Sequence, residues 1–492
     1  MARSVRPQLS AAVTFNQGNK PRMDTLIRNG QVITASGRRN ASIGISDGRI
    51  AGIYDAGNEP AAAETIDATG LAVLPGVIDM HSHHREGSLP GFEYKDTIRT
   101  STMQCAAGGV TTTVGMPNVN PPPNSAELLE KQFALYRKDA IVDWNFNPAP
   151  TILDEIPKMA GMGIAAFKIF MVVDTGRSYP HMPGIGVHDH GKLLEIMEAC
   201  AAVDVPLMVH PHDQALMDVI EQKYWQRGER DALAYAKAYA AHDGVIWETA
   251  IATLLRLQRA AGCHLHILHT QTAGSVQMIR AAKAAGQRVT CEINPWALFL
   301  GCDWSAIQRL GSYALSYWVP EKNVPGLWEG LNDGTIDIVA TDHAPHTREE
   351  KEIGWKDGWK AHTGTPSTQF YLSMFLTAAL EGKISLERVV DACSTNPARL
   401  FRIGRKGDIR AGLDADLVLV DLEREYEIRD EDVLSLIGWS PYAGRKVRGK
   451  PVRTLVRGRT VYADGKVVGK PGEGRQALAR ESATAPAAAT TA

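Results

Sequence analysis

The sequence predicts an α/β protein with a (β/α)8 TIM-like barrel in the middle of the chain and a small composite β-sandwich domain built from both chain ends. Three observations lead to this prediction. Eight short apolar runs alternate with helix-like segments across residues 74–403. Most of these runs end on a polar residue, and short strands with Gly and Asp-Gly turns occupy residues 23–73 and 404–470. Alternation of strands and helices is typical of parallel sheets, whereas turn-rich ends are typical of hairpins.

Length and composition are those of a globular protein with more than one structural unit. The chain has 492 residues, of which 44% are hydrophobic and 22% charged, and its formal net charge is −2. This balance excludes the basic surface that nucleic acid or an anionic membrane attracts, and no apolar run approaches the roughly 20 residues that span a bilayer. The six cysteines are scattered without a Cys-x-x-Cys motif, as is typical of free thiols in a reducing compartment. We therefore expect a cytoplasmic protein without nucleic-acid or membrane partners.

The two termini are expected to carry little structure. Residues 1–22 are basic and polar without an apolar segment, which predicts a disordered N-terminal extension rather than a secretory signal. Residues 471–492 become rich in Ala and Thr and lack periodicity, which predicts a flexible C-terminal tail.

The barrel is predicted strand by strand from apolar runs, and its helices from the segments between them. The functional residues of such barrels lie at the carboxyl ends of the strands. The candidate strands are Val77–Met80, Val110–Val114, Trp144–Asn147, Ala165–Phe170, Pro206–Val209, Leu265–Leu268, Val289–Ile293 and Ile336–Ala340. The clearest helical patterns are Ala126–Tyr136, Lys192–Ala202, Trp247–Ala260 and Val276–Ala285.

Ligand-type residues follow the first and last of these strands. His81 and His83 are two residues apart, so on extended backbone both imidazoles point to one face and reach one cation. Asp342 follows the eighth buried strand, where a carboxylate is costly unless it is paired or bound to metal. A carboxylate in this position also suits a group that takes up and releases protons.

Three further candidates lie on the strands between. Lys168 has apolar neighbours on both sides, and burial there favours a neutral amine able to react with carbon dioxide to form a carbamate. His210 and His269 close later strands. Together with His81, His83 and Asp342, these three residues provide enough ligands for two divalent cations. Two such cations would lower the pKa of a bridging water and so supply a hydroxide nucleophile. The alternatives are a lysine that extends to solvent and histidines that belong to the core, as we expect for His212, His264 and His266.

These motifs resemble those of the amidohydrolase superfamily, in its dihydroorotase, hydantoinase and allantoinase branch. The resemblance rests on Pro75–His83, on Lys168, His210 and His269, on Glu292–Pro295 and Asn396–Ala398, and on Lys406–Leu417. It implies a metal-dependent cyclic amidohydrolase with two divalent ions, zinc in the leading case and manganese or cobalt as alternatives. It also implies a carbamate on Lys168, Asp342 as both metal ligand and acid–base group, and a homodimer or homotetramer.

Three positions resemble dihydroorotases in particular. Arg85 follows the histidine pair, Asn118 lies in Met116–Pro122, and His346 stands four residues after Asp342. In dihydroorotases such positions hold the substrate carboxylate, a task that suits a guanidinium fork. The leading expectation is therefore hydrolysis of dihydroorotate to N-carbamoyl-aspartate. A hydantoinase, dihydropyrimidinase or allantoinase type of ureide hydrolase remains the alternative, with a non-catalytic scaffold as the third possibility.

Overall fold

The computed structural model describes residues 23–172, 184–300, 304–314 and 321–479. The predicted N-terminal extension, residues 1–22, lies outside these ranges. The strands are β1 Met23–Thr34, β2 Gly37–Ser46, β3 Arg49–Tyr54, β4 Ala62–Asp67, β5 Ala72–Pro75, β6 Val77–Ser82, β7 Val110–Gly115, β8 Asp143–Phe146, β9 Phe167–Phe170, β10 Leu207–His210, β11 Leu265–Ile267, β12 Val289–Ile293, β13 Ile338–Val339, β14 Leu417–Glu427, β15 Lys446–Val456, β16 Arg459–Ala463 and β17 Lys466–Val467.

The strands of both chain ends form one mixed sheet. Its order is β17-β16-β15-β14-β5-β1-β2-β3, with β4 paired to β1. The antiparallel pairing of β14 with β5 joins the two chain ends, and it extends to Leu417 opposite Pro75. The N-terminal strands of this sheet therefore extend to Pro75, two residues past the predicted end of the N-terminal β segment at residue 73. The division of the chain into a β domain and a barrel domain remains a prediction.

The middle of the chain contains all eight predicted strands, with ends that differ from the predicted ends by no more than two residues. They form two parallel sheets, β6-β7-β8 and β13-β12-β11-β10-β9. Every residue of these strands is buried, as expected when helices cover parallel strands. An isolated parallel bridge joins Ser82 to His343, and the Lys168 backbone N–H donates to the Pro148 carbonyl over 3.0 Å, so residues adjoining the two sheets meet at both edges.

Side chains of the parallel strands alternate between two apolar clusters. In β10, Leu207 and Val209 pack in the large cluster that includes the helices. Met208, between them, packs with Ile78 of β6 and Ile338 of β13 in a second cluster. Residues from both sheets thus face a common interior, which follows from the period of two along a strand.

Several helices begin at a polar side-chain cap, and several bury one face. Thr97 and Thr100 form a capping box at the first helix, which ends at Gly109 with φ 83°. The longest helix within the described ranges buries Ile246, Ala250 and Leu254, spaced by one turn. The helices are α1 Ile98–Gly108, α2 Ala126–Asp139, α3 Ile156–Gly161, α4 His190–Ala202, α5 Gln214–Gln226, α6 Ala232–Tyr239, α7 Val245–Ala261, α8 Ala273–Ala284, α9 Pro295–Phe299, α10 Trp304–Leu310, α11 Val324–Asp333, α12 Arg348–Glu352, α13 Tyr371–Leu380, α14 Leu386–Val390 and α15 Asn396–Leu400.

Residues 471–479 correct the expected boundary of the C-terminal tail. The Arg475 carbonyl accepts the Trp144 N–H over 3.0 Å, and the Ala477 N–H donates to the Trp144 carbonyl over 2.7 Å. This segment therefore adds extended backbone beside β8, and a tail can begin no earlier than residue 480. Residues 480–492 lie outside the described ranges.

Two further expectations concern cysteines and membranes. The five cysteines within the described ranges are all buried free thiols. None of the helices in those ranges combines the length and the apolar character needed to cross a bilayer.

Candidate active site

The end of β6 and the segment after β13 bring three predicted ligands together. The Nε2 atoms of His81 and His83 each lie 3.2 Å from Oδ1 of Asp342. The bridge between Ser82 and His343 holds the two segments side by side. One divalent cation could therefore reach one ligand atom from each of the three side chains, which all lie within 4.8 Å of one another.

Two further histidines extend this group. His269, which follows β11, places Nδ1 3.6 Å from Oδ2 of Asp342 and 2.9 Å from Oδ1 of Asn294. Its ring centroid is 5.0 Å from that of His81 and 4.8 Å from that of His210, the last residue of β10. The four predicted histidine ligands thus form a continuous row of neighbouring rings.

Lys168 enters from β9 on the side of His210. Its Nζ is buried and, in the described part of the chain, has no hydrogen-bond partner. It lies 4.0 Å from the centroid of the Phe170 ring, which is itself 5.4 Å from the His210 ring. Burial lowers the pKa of Lys168 to about 7, although Asp342 and Glu292 act in the opposite direction. A partly neutral amine that lacks a hydrogen-bond partner among the described residues fits the predicted carbamate. The oxygen atoms of a carbamate would bind the metal ions and make the hydrogen bonds that the amine lacks.

Two buried carboxylates for which we predicted no role support the ligands. Glu292 of β12 accepts a hydrogen bond from Nδ1 of His81 over 2.7 Å, which directs Nε2 toward Asp342. Asp79 accepts the backbone N–H of His81 and that of Thr341, so it ties β6 to the segment that carries Asp342. A polar residue at the end of the seventh predicted strand was the sequence signal for Glu292, but its partner could not be read from the sequence.

The charges of this group are mutually dependent. Burial alone lowers the pKa of His81, but the carboxylates of Glu292 and Asp342 outweigh it and raise the pKa to about 9. Burial raises the pKa of Asp342, but the charge of His81 and the hydrogen bonds from His81 and His83 outweigh it and hold the pKa well below its usual range. Burial lowers the pKa of His269 to about 4, which leaves a neutral imidazole suited to a metal. The donor set of imidazoles and carboxylates fits zinc, manganese or cobalt.

Local backbone strain coincides with the site. Arg85, His269 and Asp342 have φ angles of 57°, 53° and 46°, in the left-handed region that residues other than glycine rarely occupy. Such conformations cost about 1–3 kcal/mol and persist where the surrounding structure requires them, often at functional sites.

The three predicted substrate-binding residues are all buried, and two of them are in contact. Arg85 places Nη2 3.1 Å from Nε2 of His346, and its Nε donates to the Pro345 carbonyl over 3.3 Å. Asn118 follows β7 and is 4% exposed, and its Oδ1 lacks a hydrogen-bond partner within the described ranges. Arg85 and His346 thus form one polar group beside the ligands, while Asn118 offers an unused acceptor at the end of a neighbouring strand.

Comparison with known proteins identifies the family. The family model described as "Amidohydrolase family" matches residues 72–461, and a model of the urease alpha-subunit N-terminal domain matches residues 2–74. The chain is 34% identical to an L-hydantoinase of Paenarthrobacter aurescens over 92% of this chain and 97% of the relative. It is 35% identical to an allantoinase of Rubrobacter xylanophilus over 91% and 96% of the two chains. It is 36% identical to a dihydroorotase of Halobacterium salinarum over 86% and 96%.

Solved structures agree with these sequence relatives. The L-hydantoinase (dihydropyrimidinase) from Arthrobacter aurescens superposes with a TM-score of 0.86 at 31% identity, covering 93% of this chain and all of that one. A D-hydantoinase superposes with a TM-score of 0.82 at 28% identity. The chain belongs to the amidohydrolase family, as its motifs predicted. It is therefore an enzyme, a hydrolase of carbon–nitrogen bonds, and the third possibility, a non-catalytic scaffold, is set aside.

Proposed function

We propose that this hydrolase opens the ring C–N amide bond of a carboxylated cyclic ureide, with dihydroorotate and N-carbamoyl-aspartate as the leading substrate pair. The observation that carries this proposal is the buried contact between Arg85 and His346, 3.1 Å from Nη2 to Nε2. Arg85 lies two residues after His83, and His346 lies four residues after Asp342, so both adjoin the predicted ligands. A buried guanidinium favours an anionic partner, and a ring carboxylate supplies one.

We infer that the predicted ligands serve two divalent ions. His81, His83 and Asp342 would hold one ion, His210 and His269 would hold a second, and Lys168, as a carbamate, would supply further oxygen ligands. Bound divalent ions lower the pKa of water and polarise a carbonyl, which supplies a nucleophile at neutral pH. Glu292 fixes the ring of His81 through the 2.7 Å hydrogen bond.

The remaining steps fall to side chains of the chain itself. Asp342 is ionised because His81 holds its pKa well below the usual range, and its carboxylate accepts the proton of the attacking water. It then delivers this proton to the departing ring nitrogen. Arg85, His346 and the side-chain amide N–H of Asn118 hold the substrate carboxylate and so orient the ring.

We infer that the eight parallel strands close into one (β/α)8 barrel that carries this site. The inference is supported by the bridge between Ser82 and His343 and by the hydrogen bond from Lys168 to Pro148. It is also supported by the apolar cluster that Ile78, Met208 and Ile338 share across the two sheets. A homodimer or homotetramer remains our prediction for the assembly, to be measured by sedimentation.

A second candidate is hydrolysis of an uncharged cyclic ureide or imide, such as a hydantoin, a dihydropyrimidine or allantoin. The similarity to L-hydantoinase over 92% of this chain and the TM-score of 0.86 to a solved L-hydantoinase favour it. The same predicted ligands and Asp342 would serve this reaction, because the two classes of substrate differ only in the carboxylate that Arg85 would bind.

A substrate panel tests the two candidates. Dihydroorotate and dihydrouracil share one ring and differ only in the carboxylate, and a hydantoin and allantoin complete the panel. Loss of ring absorbance measures kcat/KM for each, after metal-replete expression and metal analysis. Our proposal requires dihydroorotate to exceed dihydrouracil. Greater activity on an uncharged hydantoin would overturn it in favour of the second candidate, and loss of all activity in Asp342→Asn would show that the reaction uses this site.

A further inference from the structure

We propose that Lys95 is a positioning residue that fixes the tautomer of His346, so that the Nε2–H of His346 and the guanidinium of Arg85 donate together to the substrate anion. The proposal deepens the function proposed above and rests on it. Lys95 lies in the segment between β6 and α1, and nothing in its sequence context singled it out.

The ammonium of Lys95 lies in a cage of three acceptors. Its Nζ is 3.1 Å from Nδ1 of His346, 3.3 Å from Nδ1 of His362 and 2.7 Å from Oε1 of Glu350. The Lys95 side chain is 1% exposed. An ammonium has three hydrogens, so each acceptor receives one and no donor is left over.

The three acceptors are arranged like the ligands of a metal site, and the ammonium of Lys95 occupies the position of the cation. His346, Glu350 and His362 present ligand atoms close enough together to bind a metal ion. The Nζ of Lys95 lies within 3.3 Å of one ligand atom from each of the three residues. The carboxylate of Glu350 at 2.7 Å supplies the negative charge that keeps the amine protonated.

This arrangement determines which nitrogen of His346 carries hydrogen. Burial, together with the neighbouring Arg85 and Lys95, lowers the pKa of His346 well below its usual range, so its imidazole is neutral. A neutral imidazole has one acceptor and one donor nitrogen. Because Nδ1 accepts from the ammonium, Nε2 carries the hydrogen. The opposite tautomer would have to donate from Nδ1 to Glu350 over 3.5 Å, which is longer than a normal hydrogen bond.

The consequence is a pair of adjacent donors. Nε2 of His346 and Nη2 of Arg85 are 3.1 Å apart, and with this tautomer both carry hydrogen. Two donors this close repel each other slightly until an acceptor lies between them, and a carboxylate has two oxygens with which to receive both. Lys95 therefore turns His346 from an acceptor for Arg85 into a second donor for the substrate.

The test uses Lys95→Met in the metal-loaded enzyme, with Lys131→Met as a matched control. Lys131 is an exposed lysine paired with Glu127 on α2, remote in sequence from the cage. We expect Lys95→Met to raise KM for dihydroorotate about tenfold or more, with kcat and metal content changed little, because a charge-assisted hydrogen bond is lost only with the anionic substrate. KM for dihydrouracil and all constants of Lys131→Met should stay unchanged.

The outcomes separate this proposal from the function on which it rests. If the unaltered enzyme does not prefer dihydroorotate over dihydrouracil, the proposed substrate is wrong and the role of Lys95 falls with it. If the preference exists and Lys95→Met retains it, only the role of Lys95 is wrong. Equal losses on both substrates would also overturn it, because they would indicate a merely structural residue.

A second measurement needs no folded Lys95 variant. Nitrogen-15 spectra of the histidine-labelled enzyme report which ring nitrogen of each imidazole is protonated, and His346→Asn identifies the signal of His346 by its disappearance. We expect a neutral ring with Nε2 protonated and Nδ1 unprotonated. The reverse assignment would overturn the proposal whatever the kinetics show.

Discussion

Replacing Arg85 by Met removes the charge on which the proposed specificity depends. Methionine is unbranched and apolar, so it fills part of the same space and makes the same demand on the backbone at φ 57°. Loss of one partner of a buried charge pair costs about 2–5 kcal/mol, which corresponds to a factor of about 30 to several thousand in kcat/KM. We expect this loss for dihydroorotate.

The structural cost of the same change can be separated from the loss of specificity. Arg85 also donates to the Pro345 carbonyl over 3.3 Å, a hydrogen bond whose removal costs about 1 kcal/mol for every substrate. This cost cancels in the ratio of kcat/KM for dihydroorotate to kcat/KM for dihydrouracil. The ratio therefore measures the interaction with the carboxylate alone.

The assay is loss of ring absorbance with each substrate, at equal metal content. Arg288→Met serves as the control, because Arg288 is half exposed and pairs with Asp204 at the surface. Its ratio should equal that of the unaltered enzyme. If Arg85→Met changes the ratio by less than about threefold, the guanidinium does not hold the substrate carboxylate and our reasoning from burial is refuted.

Three further predictions concern stability, metal affinity and pH. Lys406→Met should lower the free energy of unfolding by about 3–5 kcal/mol in urea titrations, because the buried Lys406 ammonium contacts Asp143 at 2.8 Å and also Asp416. Glu292→Gln should weaken metal binding about 10- to 100-fold in competition with a chelator, because it weakens the hydrogen bond that orients His81. KM for dihydroorotate should rise above about pH 8, because burial and the nearby Arg85 lower the pKa of Lys95 to about 8, and the amine loses its charge as the pH increases through that value.

Each of these has a matched control and a contradictory outcome. Lys131→Met should leave unfolding unchanged, and an equal effect of the two lysine variants would contradict the buried network. Glu221→Gln alters a carboxylate bound to Trp359 and should not affect metal affinity. The pH-dependent rise in KM should vanish in Lys95→Met; if it persists, another group is titrating. His362 is not that group, because burial and Lys95 lower its pKa to about 4.

Much of the fold and the candidate ligand set could be predicted from the sequence because both depend on local pattern. An apolar run such as Val289–Ile293 predicts a buried strand whatever its partners, and the polar residue at its end predicts the edge at which it will lie. His81 and His83 share a face because of strand geometry alone. Their proximity to Asp342 followed from the rule that parallel strands present their carboxyl ends together.

The partners of these residues could not be predicted in the same way. Glu292 and His81 are 211 residues apart, and Lys95 and His346 are 251 residues apart. No periodicity relates such positions, because the contact depends on how whole strands and loops pack. The same reason explains residues 471–479, whose composition predicted a tail but whose backbone pairs with that of Trp144.

The sequence by itself determined the strands of the middle segment and the candidate ligand residues at their ends, since local apolar patterning and residue chemistry suffice for both. Only the tertiary structure decided the protonation and orientation of those residues. Burial lowers the pKa of Lys168 to about 7, whereas the carboxylates of Glu292 and Asp342 raise the pKa of His81 to about 9. Two buried groups of one site thus shift in opposite directions from their usual pKa values. Electrostatic interactions act through space, so side chains distant along the chain set the charge of each group.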